Sequence, residues 1–233
     1  PTHPGASTSE ILSWCGFTAI LIACIGYVLF HAFLIDRVTV RLCREIDGPN
    51  AKPTEVLPVP LLEIAFDGYE WNNHAEHLGE NGEWQMRYTH LDNAPEGREI
   101  HWSSGFAWYL RGLGEIYRHC TGDTLIWANP ILLVIALALF ATLSARRFGP
   151  LCGSVLAIGM ITTASFYEGF LPAYPDHHGI TAFALMGLIF GIAWAGAGWV
   201  QTSDGEGFIP PRSLAQARHG MIFSGICGAS GLW

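Results

Sequence analysis

The sequence predicts an all-α polytopic membrane protein, with four complete transmembrane helices, the start of a fifth, and a long helical extracytoplasmic first loop. Three observations carry this. Of the 233 residues, 50% are hydrophobic and only 14% are charged, against about 25% charged in a soluble domain. The apolar residues gather into blocks, several near the roughly 20 residues that a helix needs to cross about 30 Å of hydrocarbon. Most of the charge falls between the first two blocks. Such hydrophobicity excludes a disordered chain. A net charge of −8 with a single lysine, Lys52, excludes nucleic acid as a partner.

Residues 1–10 read as a tail. Residues 11–35 form the first span and contain no Asp, Glu, Lys or Arg. This block is too long for a signal-peptide core and lacks a basic start and a small-residue cleavage site, so it reads as a retained helix. Residues 125–145, 151–167 and 179–200 supply the next three spans. The last carries Gly187, Gly191, Ala195, Gly196 and Gly198, small residues that let helices approach closely in lipid. Residues 201–219 form a loop, and residues 220–233 begin a fifth span. The chain opens without methionine and stops inside this apolar run, which leads us to expect a piece of something longer.

The stretch 36–124 is the long loop. A Pro-rich run (Pro53, Pro58, Pro60) leads to Asp67, whose carboxylate suits a helix N-cap. The helix it opens stops at Gly79. Asp92-Asn93-Ala94-Pro95-Glu96-Gly97 is turn chemistry. A second helix starts at Ser103 or Ser104 and runs to about His119, with Phe106, Ala107, Leu110, Leu113 and Tyr117 at helical spacing. Its apolar stripe suits the membrane face.

Parity puts the long loop and the 168–178 loop on one side of the membrane, and the Arg146-Arg147 turn and the Arg212/Arg218 loop on the other. Arginines in short loops mark the cytoplasmic side, so the long loop is expected outside, at the plasma (inner) membrane. Cys15, Cys24, Cys152 and Cys227 fall in membrane blocks as packing residues. Cys43 and Cys120 lie near the two ends of the long loop, and an oxidising compartment would permit a disulfide between them. No CxxC occurs.

Pro175-Asp176-His177-His178 is the sharpest chemical signal. A carboxylate and an imidazole two positions apart in a tight loop suit Mn²⁺ or another first-row cation. Asp67 leads a helix on the same side, so Asp67, Asp176 and His178 are expected to form one metal site. A rival set is Glu70, His74 and His77, four and seven residues apart on one helix face, with His90 and His101 nearby. His31 in the first span is a weaker candidate, as a haem ligand. Arg87, Arg98 and Arg111 are candidates for phosphate, which guanidinium matches in a forked geometry.

The order of these features resembles the GT-C class of polytopic glycosyltransferases, within it the single-subunit archaeal and bacterial form of the oligosaccharyltransferase catalytic subunit. Asp67 matches an Asp of the first external loop, and Asp176 and His178 match an Asp-x-His. Asn93-Ala94-Pro95-Glu96-Gly97-Arg98-Glu99-Ile100-His101-Trp102-Ser103 is similar to a first-loop motif of related bacterial proteins. The resemblance covers residues 10 to 200, the N-terminal portion of such an enzyme. It implies sugar transfer from a polyprenyl-linked donor in the membrane lipid, with a divalent cation (Mn²⁺ or Mg²⁺) on the leaving phosphate. Asp67 would be catalytic and a metal ligand, Asp176 and His178 metal ligands, and Arg87, His101, Trp102 and His177 donor contacts. Two other readings remain: a structural subunit packed against other membrane subunits, and a His-rich membrane metalloprotein.

Overall fold

A computed structural model describes residues 7–47, 66–81, 84–90, 95–100, 104–117, 121–196, 200–201, 208–209 and 214–232. Nearly all of them are helical. The helices are α1 (Thr8–Asp47), α2 (Phe66–Asn81), α3 (Gly105–Tyr117), α4 (Thr121–Ala136), α5 (Thr142–Phe148), α6 (Pro150–Thr162), α7 (Ala164–Tyr167), α8 (His178–Gly196) and α9 (Leu214–Leu232). A single π-helical stretch, Leu137–Ala141, joins α4 to α5 without a break. Two antiparallel hairpins complete the described chain: β1 (Tyr88–Thr89) with β2 (Arg98–Glu99), and β3 (Val200–Gln201) with β4 (Phe208–Ile209).

Three stretches are long and apolar enough to cross a membrane: Thr8–Leu42, Ile126–Phe148 and His178–Gly196. Among the described residues, α6 and the segment Ala164–Phe170 pass the same test only as a pair, bent by 73° where Thr163 turns extended, as in a broken span or a re-entrant loop. The third apolar block is therefore a broken helix. Large apolar side chains cover the outside of these helices, among them Ile22, Phe30, Leu151, Val155, Leu185 and Ile189. A soluble protein rarely exposes so much apolar surface, and lipid is its natural solvent.

Between the spans lies a dry layer. Leu133, Leu137 and Phe140 are fully buried and meet Phe17 and Val28 of α1, Ala157 and Met160 of α6, and Phe190 of α8. The helix ends follow local chemistry. Gly149 takes φ +103°, which only glycine adopts without strain, and Pro150 fills the first position of α6, where a missing N–H costs nothing. Helix α8 then packs closely along α9. A side chain on Gly191 would lie 2.6 Å from the Ser224 backbone nitrogen and 2.7 Å from the Gly220 carbonyl.

A second, smaller core caps one end of the spans. Trp71 and Leu78 of α2, Phe106 and Leu110 of α3, and Met86 and Ile100 of the first hairpin bury together against Ala128 of α4. This layer departs from the sequence reading in four ways. Helix α1 continues twelve residues past Ile35 to Asp47, because Arg41 and Glu45 pair one turn apart and carry the helix beyond the apolar run. Asp67 lies inside the first turn of α2, which begins at Phe66, and Gly79 does not stop the helix, which runs to Asn81. The turn chemistry at 92–97 sits inside a two-stranded hairpin, of which residues 91–94 lie outside the described set. The apolar stripe of α3 is spent on α2 and α4, so it does not face lipid. A Cys43–Cys120 bridge involves side chains outside the described residues.

Candidate metal centre

The site begins with two residues of α4, Asn129 and Pro130. Proline has no N–H, so the carbonyl of Ile126 one turn earlier is left without its helical donor. The backbone N–H of Ala173 takes its place at 3.3 Å. Asn129 is fully buried, and its side-chain amide donates to the carbonyls of Tyr174 and of Asp176, the latter at 3.3 Å. The 171–177 loop is thus moored at the Ile126 end of α4, by one main-chain bond and one buried side chain. Pro172 and Pro175 stiffen it, and Ala173 turns it with φ +59°.

The mooring also fixes topology. The chain leaves α5 at Phe148 and is back beside Ile126 at Ala173, so α6 and α7 retrace the whole length of the 126–148 helix. The Asp-His-His loop therefore lies at the end capped by α2 and α3.

Asp176 precedes α8, with no exposed surface. His177 accepts the first helical bond at its carbonyl, from Thr181 N–H at 3.0 Å, and His178 opens the helix. Both imidazoles fold back on the carboxylate. His177 Nδ1 is 2.6 Å from Asp176 Oδ1, and His178 Nδ1 is 2.7 Å from Oδ2. One ligand atom from each residue falls within 4.8 Å of the others, and among the described residues this is the group that can hold a metal ion. Burial pushes the Asp176 carboxyl up, but the close approach and charge of His177, the charge of His178 and the contact with Tyr174 more than reverse this. Its pKa ends below the ordinary carboxylate value.

Helix α2 covers the loop from outside. The Trp71 ring lies 5.4 Å from that of His177 and meets Phe106 edge-on. Asp67 stands one turn before Trp71 on the same helix, and its side chain lies outside the described residues. On the lipid side, His31 of α1 and Tyr167 of α7 stack, with Nδ1 and the hydroxyl 2.7 Å apart. His31 thus serves the bend of the third block.

The structure sorts the other candidates. His177, expected only as a donor contact, stands as close to the carboxylate as His178 does. Glu70, His74 and His77 do not form one three-ligand group: His74 Nε2 lies 3.9 Å from the Glu70 carboxylate, which also pairs with Arg98, but His77 does not join them. Arg98 and Arg111 are committed to Glu70 and Glu115. Arg87 is exposed on the hairpin and is held by no described acidic group, while its carbonyl accepts the N–H of Ile100 at 2.9 Å. His101 and Trp102 lie outside the described residues. Asn129 escaped sequence reasoning. Its signal was an Asn-Pro pair inside an apolar block, where a polar side chain is costly unless it has a task.

No protein-family model matches the chain, and no curated protein or solved structure is significantly similar to it.

Proposed function

We propose that this membrane protein is a divalent-cation-dependent transferase that moves a sugar from a polyprenyl-phosphate or polyprenyl-pyrophosphate donor. The observation that supports the reading best is the convergence of the half-buried His177 and the exposed His178 on the buried Asp176 carboxylate at the capped end of the spans. A site there is reached by a ligand with a tail in lipid and a polar head in water. Asp176, His177 and His178 would hold the cation. Two imidazoles and a carboxylate suit Mn²⁺ better than Mg²⁺, which prefers oxygen throughout. Such a cation supplies Lewis-acid stabilisation to a leaving phosphate. Arg87, which pairs with no acidic group among the described residues, would be the donor-phosphate contact, and Asp67 would complete the metal shell and take the acceptor proton.

Membranes containing the chain, supplied with a polyprenyl-phosphate sugar and Mn²⁺, test this. Asp67→Ala and Asp176→Ala should each abolish transfer while circular dichroism shows the helices intact. Transfer at the wild-type rate by either variant sinks the assignment of that residue. A wild-type chain that binds no Mn²⁺ sinks the whole reading.

A further inference from the structure

Helix α2 turns one face inward. Trp71, Ala75 and Leu78 recur at helical spacing and are buried, while Asn73 and Glu76 between them are exposed. From this face Trp71 meets the Asp-His-His loop, its ring 5.4 Å from that of His177. The indole is itself held. Phe106 of α3 lies edge-on to it at 5.3 Å and His74 at 5.8 Å, and the preceding residue, Glu70, is tied to Arg98 of β2. The backbone of His177 is fixed at the start of α8, where its carbonyl accepts the Thr181 N–H. Its side chain is 43% exposed, and two torsions are left to orient the ring. The Asp176 carboxylate meets that ring at Nδ1. The neighbouring His178 ring, 4.7 Å away, is more exposed still and gives no firm wall. Of these neighbouring rings, Trp71 is the one packed in a core.

We propose that Trp71 is the positioning residue of the cation site: it holds the His177 imidazole in the orientation that binds metal, and so couples occupancy of the site to the packing of α2. The proposal rests on the cation site of Asp176, His177 and His178, but not on sugar transfer. A ligand oriented before the metal arrives gives up less freedom on binding. Loss of a group that orients a metal-bound histidine costs roughly 10–100-fold in affinity. The coupling is reciprocal: if the docked indole favours the metal, bound metal favours the docked indole to the same degree.

The full chain in detergent is titrated with Mn²⁺ by electron paramagnetic resonance, and deuterium exchange along α2 is followed with and without the ion. The wild type should bind Mn²⁺, and its amides across Phe66–Asn81 should then exchange more slowly. Trp71→Ala should bind roughly tenfold more weakly and lose that protection. Trp71→Phe, which keeps a ring in place, should recover most of both. Leu78→Ala opens the same core about two turns further along α2 and should bind Mn²⁺ as the wild type does. In the metal-free chain, carbethoxylation of His177 relative to His178 should rise in Trp71→Ala. A folded Trp71→Ala chain with wild-type Mn²⁺ affinity overturns the proposal, and so does an equal loss of affinity in Leu78→Ala. A wild type that binds no Mn²⁺ overturns the cation site and the proposal with it. Unchanged carbethoxylation of His177 in Trp71→Ala overturns the positioning by Trp71 alone.

Discussion

Replacing Asp176 by Asn removes the charge on which His177 and His178 converge. Mn²⁺ affinity, followed by electron paramagnetic resonance, should fall by at least the roughly 100-fold that marks the upper range for loss of an outer-shell partner. The metal-free protein offers a second test. A carboxyl whose pKa is lowered in the folded state contributes fully above its ordinary value of 3.8 and loses that contribution as pH falls through the lower folded value. The melting temperature of the wild type should therefore drop below about pH 4 more steeply than that of Asp176→Asn. Asn129→Ala removes two donated hydrogen bonds, and a cost of about 2 kcal/mol in stability is expected by thermal or chemical unfolding. At this scale the Asp176–His178 pair was legible because the residues are neighbours in sequence. Asn129 was not, because 47 residues separate it from the carbonyl it holds. The pairing of Arg98 with Glu70 was equally hidden, since one sits on a strand and the other on a helix.

Among the elements, the close packing of α8 on α9 leaves no room for a side chain at two glycines. Gly191 faces the Ser224 backbone nitrogen and the Gly220 carbonyl, and Gly187 faces the Cys227 Cβ, which no side-chain rotation moves. Gly191→Ala and Gly187→Ala should each destabilise the α8–α9 pair by about 1–3 kcal/mol, as read from unfolding in detergent. The apolar blocks were legible as elements because bilayer thickness sets a length that composition reveals. Their ends were less so. Charge marked the end of the apolar run at Ile35 but not the end of α1, since a helix needs only local backbone bonds and paired side chains to continue through water. The bend at Thr163 and the two-residue strands leave no periodic trace in sequence.

For the whole molecule, the capped and uncapped ends should lie in different compartments. With the native cysteines replaced, a cysteine at Glu96 and one at Gly149 should label from opposite faces of sealed vesicles. Labelling of both from one face would show that α6 and α7 enter and leave the same side, against the return that Ala173 makes to Ile126. Parity along the sequence brought the Asp-His-His loop to the same side as the long loop. It could not show that Trp71 would lie against His177, which depends on how α2 and α3 pack over the end of α4.

The bond between Ala173 and Ile126 joins two main-chain groups. Side-chain exchange at either partner leaves it in place, short of proline at 173. The residue that makes it possible is Pro130, which touches neither atom and acts by withholding a competitor. Pro130→Ala would return that competitor, and exchange of the Ala173 amide with solvent deuterium should then quicken. A scan that trims side chains to alanine would report Ile126 as unimportant and Pro130 as essential, and would place the mooring of the metal loop four residues from where it is made.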